Sequence, residues 1–145
     1  MISQKSQYAV RALLELAKRQ GSGPIKAADI AGAQWIPVRF LENILGQLRQ
    51  AGLVESVRGK EGGYRLARPA ERVSVGEIIR VVQGPLSQVD CGDGQGCALK
   101  EGCVLLPMWQ RAHEAMMGVY DGSTLSELVE QERAARGCEV LDYAI

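Results

Sequence analysis

The chain has 145 residues, is 46% hydrophobic and 5% aromatic, and balances 17 basic against 17 acidic side chains. That suffices for one core plus an appendage, but no apolar run approaches the roughly 20 residues of a membrane-spanning helix, and aromatics are too few for a base-stacking platform. The neutral total hides an asymmetry: residues 1–72 hold 12 Lys and Arg against 6 Asp and Glu, a net +6, and residues 73–145 hold 5 against 11, a net −6.

Such a division either points the N-terminal half at a polyanion or is a chance dipole. Residues 1–5 lack the apolar core of a secretory signal, so a cytoplasmic location with no membrane partner is expected. The spacing of Tyr8, Ala9, Ala12, Leu13, Leu16 and Ala17 predicts a helix over 3–20, stopped by Gly21-Ser22-Gly23-Pro24. A short helix follows over 27–33. Pro37 suits the first position of the next, over 37–51. Its apolar face is Leu41, Ile44, Leu45, Leu48 and Ala51, opposite Arg39, Asn43, Gln47 and Gln50. Gly52 ends it. The period then becomes alternating, predicting strands over 53–58 and 64–67 joined by Gly59-Lys60-Glu61-Gly62-Gly63. Ser74 and Glu77 form a capping box that opens a helix through about 82. A glycine-studded loop spans 85–102. A long helix over 104–120 is broken by Asp121-Gly122, and Thr124-Leu125-Ser126-Glu127 caps a last helix ending near 137.

Two short helices, a helix with a polar outer face and a hairpin, in that order, make a winged helix-turn-helix. The expected fold is therefore mainly α with a small β-hairpin wing and a long dimerisation helix. Its parts are a DNA-binding domain over 1–83, a cysteine loop over 84–103, dimerisation helices over 104–137 and a tail over 138–145. A major groove about 12 Å wide admits one helix, read by residues near its N-terminus. Here those are Pro37, Val38, Arg39, Glu42 and Asn43. Arg39 suits guanine, Glu42 the cytosine amine and Asn43 adenine. The wing adds Arg58, Lys60 and Arg65. Winged helices also dock proteins, and Glu42 could pair with Arg39 in the free chain.

Cys91-x5-Cys97-x5-Cys103 is the strongest chemical signal. Small residues between the cysteines let three thiolates converge. Structural zinc favours CxxC knuckles, which are missing, so the spacing suits an iron–sulfur cluster better. A zinc site, a thiol–disulfide switch and three free surface cysteines are the alternatives. For a fourth ligand, Cys138 lies in the tail, and His113 is about 15 Å along a helix from Cys103. Asp90, Asp93, Glu101 or a partner chain are the other sources. His113 is also the sole histidine, and no nucleophile–base pair can be assembled, so an enzyme is not expected.

Leu105, Trp109, Ala112, Met116 and Val119 are spaced 4, 3, 4, 3, the seam of a coiled coil. This predicts a homodimer whose two reading heads, roughly 34 Å apart, meet an inverted-repeat operator in double-stranded DNA. The other possibility is packing within one chain.

Three segments and the cysteine loop together resemble the Rrf2 family of bacterial winged-helix transcription regulators. They are Ser6-Gln7-Tyr8-Ala9-Val10-Arg11-Ala12-Leu13, Phe40-Leu41-Glu42, and 52–66 with Arg58-Gly59-Lys60-Glu61-Gly62-Gly63-Tyr64. The resemblance covers about residues 1–135 and is nearest to the cluster-regulating and nitric-oxide-sensing branches. It implies a homodimer, a cluster on Cys91, Cys97 and Cys103, and DNA contacts at Arg39, Glu42 and Arg58. The cluster-regulating branch has a histidine three residues after the third cysteine, where this chain has Leu106. The nitric-oxide branch borrows an aspartate from the partner's first helix, where this chain reads Ser6-Gln7-Tyr8. The fourth ligand thus stays open, with a two-iron cluster placed ahead of a four-iron one. The branch controlling cysteine metabolism lacks the loop. The function expected is a regulator sensing iron–sulfur status, redox state or nitric oxide. The alternative is a cluster-free winged helix governed by thiol oxidation, zinc or a protein partner.

Overall fold

The computed structural model describes residues 1–86 and 102–142, with side chains through residue 137. Helix α1 (Gln4–Lys18) starts at Ser3, whose hydroxyl accepts from the Ser6 amide. Helices α2 (Ala27–Gln34) and α3 (Val38–Gln50) pack on it, followed by the hairpin β1 (Val54–Val57) and β2 (Gly63–Leu66). A 3-10 turn (Ala70–Arg72) leads to α4 (Val75–Gln83), and α5 (Leu105–Gly122) and α6 (Leu125–Asp142) complete the fold. Order and type of the elements match the expected winged helix.

The core gathers one apolar stripe from each helix. Leu13 and Leu16 of α1, Ile30 of α2, Leu41, Ile44, Leu45 and Leu48 of α3 and Ile78 of α4 are all buried. Leu125 and Val129 at the start of α6 join the same core, Leu125 with no exposed surface. The C-terminal helix thus returns to the N-terminal half. Lys18 strengthens that return with an ion pair to Glu132 at 3.2 Å.

The hairpin pairs Val54 with Leu66 and Val57 with Gly63, antiparallel. A third short edge that the sequence did not announce comes from Ile25, which exchanges backbone hydrogen bonds with Tyr64 at 2.8 and 2.7 Å. Gly63 permits this close approach, since a Cβ there would overlap the Ile25 carbonyl.

Two boundaries differ from expectation. Helix α5 runs through Asp121-Gly122 and stops at Ser123. Asp121 is fastened to Arg80, so the last turn is held against α4. Helix α6 continues past Gly137 to Asp142, because an internal glycine costs only about 1 kcal/mol against alanine and does not stop a helix alone. The capping box at Thr124 is reciprocal: the Glu127 amide donates to Thr124 Oγ1 at 3.2 Å, and the Thr124 amide donates to Glu127 Oε2 at 3.1 Å. At Ser74 only half a box forms. The Glu77 amide donates to Ser74 Oγ, while the Glu77 carboxylate turns to Arg68 at 2.5 Å.

Candidate nucleic-acid interface and cysteine segment

Helix α3 is amphipathic in the required sense. Leu41, Ile44, Leu45 and Leu48 anchor it, and Val38, Arg39, Glu42 and Asn43 are exposed on the opposite side near its N-terminus. Pro37 is the N-cap and not the first helical residue, so α3 starts one residue later than expected, and the Pro37 carbonyl accepts from the Leu41 amide at 2.9 Å. Phe40 leans back instead, edge-on to Tyr8 of α1 with ring centroids 5.7 Å apart, and so fixes the roll of α3. Gln47, placed on the outer face from the sequence, is half-buried.

Arg39 and Glu42 form no ion pair with each other or with any other described residue. The internal pairing weighed from the sequence is therefore not made, and both heads are available to a ligand. The first turn of α3 carries no acidic residue, which leaves the positive end of the helix dipole unopposed.

The wing tip carries Arg58 and Lys60, both exposed and, among the described residues, without an ion pair. Gly59 has φ +115°, and the Gly62 amide closes the turn onto the Gly59 carbonyl at 3.0 Å. Arg65 stands apart from them. Its Nε donates to Glu55 Oε2 across the hairpin at 3.0 Å, which neutralises it in the free protein.

Beneath this face lies a buried polar knot. Glu15 of α1 accepts from Lys18 at 2.8 Å, Arg19 at 2.9 Å and Gln34 of α2 at 2.8 Å. Burial pushes its carboxyl up, but the hydrogen bonds from Lys18 and Gln34 and the nearby cationic charges outweigh that and hold it below its ordinary value. Arg11 adds bonds to the Gln34 carbonyl and side chain. Helix α2 is thereby locked to α1.

Cys103 is half-buried two residues before α5, follows Gly102 at φ +84°, and forms no disulfide among the described residues. Cys91 and Cys97, and the candidate oxygen ligands Asp90, Asp93 and Glu101, lie outside the described residues. Cys138 falls within α6, with its side chain likewise outside them. Leu106 and His113 are half-buried. The predicted seam faces away from the molecule: α5 has no fully buried residue, and Leu105, Trp109, Met116 and Val119 are all exposed, Val119 by 66%. The seam does not pack against its own domain among the described residues. At its far end Asp121 is bound by Arg80 at 2.6 Å, and that hydrogen bond holds the Asp121 carboxyl below its usual range.

A family model described as Rrf2, an iron-dependent transcriptional regulator, matches residues 2–131. The chain belongs to the Rrf2 family of transcription regulators. It is 36% identical to the HTH-type transcriptional regulator IscR of Escherichia coli over 143 residues, 99% of this chain and 85% of that protein. Among solved structures it resembles T. potens IscR with a TM-score of 0.78 at 34% identity, covering 93% of this chain and 90% of that one. It resembles CymR, the global cysteine regulator of B. subtilis, with the same TM-score at 36% identity, covering 90% and 97%. The relatives are regulators rather than enzymes, and no described helix is long and apolar enough to cross a membrane.

Proposed function

We propose that this Rrf2-family chain is a homodimeric regulator that reads an inverted-repeat operator in double-stranded DNA and answers to a labile iron–sulfur cluster. Pro37, Val38, Arg39, Glu42 and Asn43 enter the major groove, and Arg58, Lys60 and Arg65 bind backbone phosphate beside it. The observation that carries the DNA reading is the set of exposed side chains Arg39, Glu42, Arg58 and Lys60, none of which is spent on an internal ion pair among the described residues.

Homodimerisation follows from the seam. An apolar row at coiled-coil spacing left facing outward needs a cover, and a second copy of the same row supplies one through a two-fold axis. The parts are then a reading domain over 1–83, a cysteine loop over 84–103 and dimerisation helices over 104–137. The setting is the cytoplasm, where thiols stay reduced.

The donor set suits the cluster. Cys103 stands at the root of the dimer helix with no disulfide among the described residues, and the sequence offers two more cysteines within 12 residues upstream. Cys91, Cys97 and Cys103 would hold the group, which when bound supplies a centre reactive toward oxidants and nitric oxide. Leu106 supplies no donor, so the fourth ligand comes from elsewhere, and a two-iron form is preferred. The rest belongs to the chain's own residues. Arg80 and Asp121 fasten the C-terminal end of α5 to α4, Cys103 marks its other end, and a change at Cys103 acts on a helix already anchored to the reading domain.

The similarity to CymR favours one second reading: the same dimer and DNA face, controlled without a cluster by thiol oxidation, zinc or a protein partner. Selection from a randomised duplex pool by the anaerobic protein tests the DNA reading. An enriched inverted repeat supports it, and no enrichment overturns it. Iron and sulfide content of the same sample, with the selection repeated on Cys97→Ala, separates the two readings: cluster control requires both elements in the wild-type protein and an altered affinity or site preference in the variant.

A further inference from the structure

Trp35 is the most conspicuous side chain with no part in the interface described above. It ends α2 at φ 54°, ψ 48°, and among the described residues no other non-glycine has a positive φ. Its side chain is 86% exposed. Both properties are unfavourable. In the left-handed region Cβ crowds the following carbonyl, so a bulky residue there is a genuine outlier. An indole in water forgoes one of the largest burial gains a side chain can make.

The turn is firmly held. The Trp35 and Ile36 amides both donate to the Ala31 carbonyl. Arg11 grips the Gln34 carbonyl and approaches Gln34 Oε1 at 3.4 Å, while Gln34 Nε2 donates to buried Glu15 at 2.8 Å. These bonds over-determine the conformation, the condition under which backbone strain persists. They use only the backbone of residue 35. Glycine would satisfy them without strain, so the fold has no use for the indole.

Its surroundings suggest a use. Trp35 stands on a shallow apolar shelf with Ala28, Ala31, Gly32, Ile36 and Val38. Val38 is also the first residue of the exposed face of α3, so shelf and reading face are continuous. The ionic group next along α3 is the unpaired Arg39, and the first turn of α3 is free of carboxylates, which suits an anionic neighbour. Resting on the DNA-reading role proposed above, we infer that Trp35 extends that face: its indole makes an apolar contact with duplex DNA at the edge of the major groove, against a thymine methyl or a deoxyribose.

The test is Trp35→Gly, with Trp35→Phe and Arg39→Ala alongside, titrated at several salt concentrations on the duplex that the wild-type protein enriches from a randomised pool. Because glycine relieves the left-handed strain, Trp35→Gly folds with an unchanged or raised Tm. It binds that duplex about tenfold more weakly, the scale of losing one good base contact. The slope of affinity against salt is unchanged, because no phosphate contact is lost, and Trp35→Phe keeps most of the affinity. Wild-type affinity in Trp35→Gly, with Arg39→Ala impaired, overturns the inference while the DNA reading stands. A smaller salt slope in Trp35→Gly also overturns it, by tracing the loss to displaced phosphate contacts. If the wild-type protein enriches no duplex, the DNA reading and this inference fall together.

Discussion

Arg80 Nη2 of α4 and Asp121 Oδ2 of α5 meet at 2.6 Å. Both side chains are exposed, so the ion pair by itself adds little stability. Its consequence is steric and directional. The Asp121 carboxylate lies over Gly76, where a Cβ would overlap it. The Val75 amide donates to the Ser123 carbonyl at 2.9 Å, and the Leu125 amide to the Val73 carbonyl at 3.0 Å. The end of α5 is thus clamped to the start of α4, and the direction in which α5 leaves the reading domain is set there.

Gly76→Ala should therefore force the clamp apart. Overpacking of this kind costs about 1–3 kcal/mol. Asp121→Ala should be mild alone and should restore most of the loss when combined with Gly76→Ala. Denaturant unfolding of the four proteins checks this. Simple additivity of the two single costs would show that the two residues do not compete for the same space.

Acid should loosen the joint between α1 and α2. Glu15 titrates lower in the folded chain than its ordinary value of 4.5. A depressed carboxyl contributes stability that is fully present above the unfolded-state pKa and lost as pH falls through the folded-state value. Unfolding free energy should decline on acidification from about pH 5, and Glu15→Gln, which cannot titrate, should decline less. Parallel pH profiles of the two proteins would contradict this role for Glu15.

The reading helices and the hairpin were legible because each buries one face: Leu41, Ile44, Leu45 and Leu48 recur at helical spacing, and Val54 and Leu66 sit in alternating runs. The start of α6 was legible as a reciprocal capping box at Thr124 and Glu127, because both halves of that motif are local. Features without periodicity were not legible. Ile25 pairs with Tyr64 through a single residue, too short to leave a pattern. The Arg65–Glu55 pair depends on hairpin register, and the burial of Leu125 depends on α6 folding back onto α1. The strained turn at Trp35 had one available signal, a helix–helix turn of Gln34-Trp35-Ile36-Pro37 with no glycine in it. Cys91 and Cys97 are candidates on sequence spacing, and Cys103 is the member of the set whose surroundings are described.

The DNA face should divide by chemistry. Arg39→Ala should cost about 1–3 kcal/mol on the enriched operator and relax preference at one base pair. Arg58→Ala should weaken binding across sequences and lower the salt slope by about 1. Arg65→Ala should cost less than Arg58→Ala, because Arg65 must first leave Glu55. Gel-shift titrations at several salt concentrations measure all three, and an unimpaired Arg39→Ala protein would remove Arg39 from the base-reading set.

Trp109→Glu should abolish the dimer. Trp109 is 42% exposed in the single chain, so a carboxylate there is tolerated by the monomer but would meet its own copy across a two-fold seam. Light scattering should report a folded monomer that no longer binds an inverted repeat. A stable Trp109→Glu dimer would place the interface elsewhere.

Cys91, Cys97 and Cys103 are proposed to hold an iron–sulfur cluster that governs DNA binding. Iron and acid-labile sulfide determined on anaerobically purified protein, with operator affinity read on the same sample before and after exposure to air or nitric oxide, test it most directly. The expected result is a coloured protein containing both iron and sulfide, both lost in Cys97→Ala. Also expected is an affinity that shifts roughly 5–150-fold on exposure, the range of a typical coupling between two sites. A colourless protein carrying stoichiometric zinc, or a coloured one whose operator affinity is the same before and after exposure, would contradict it.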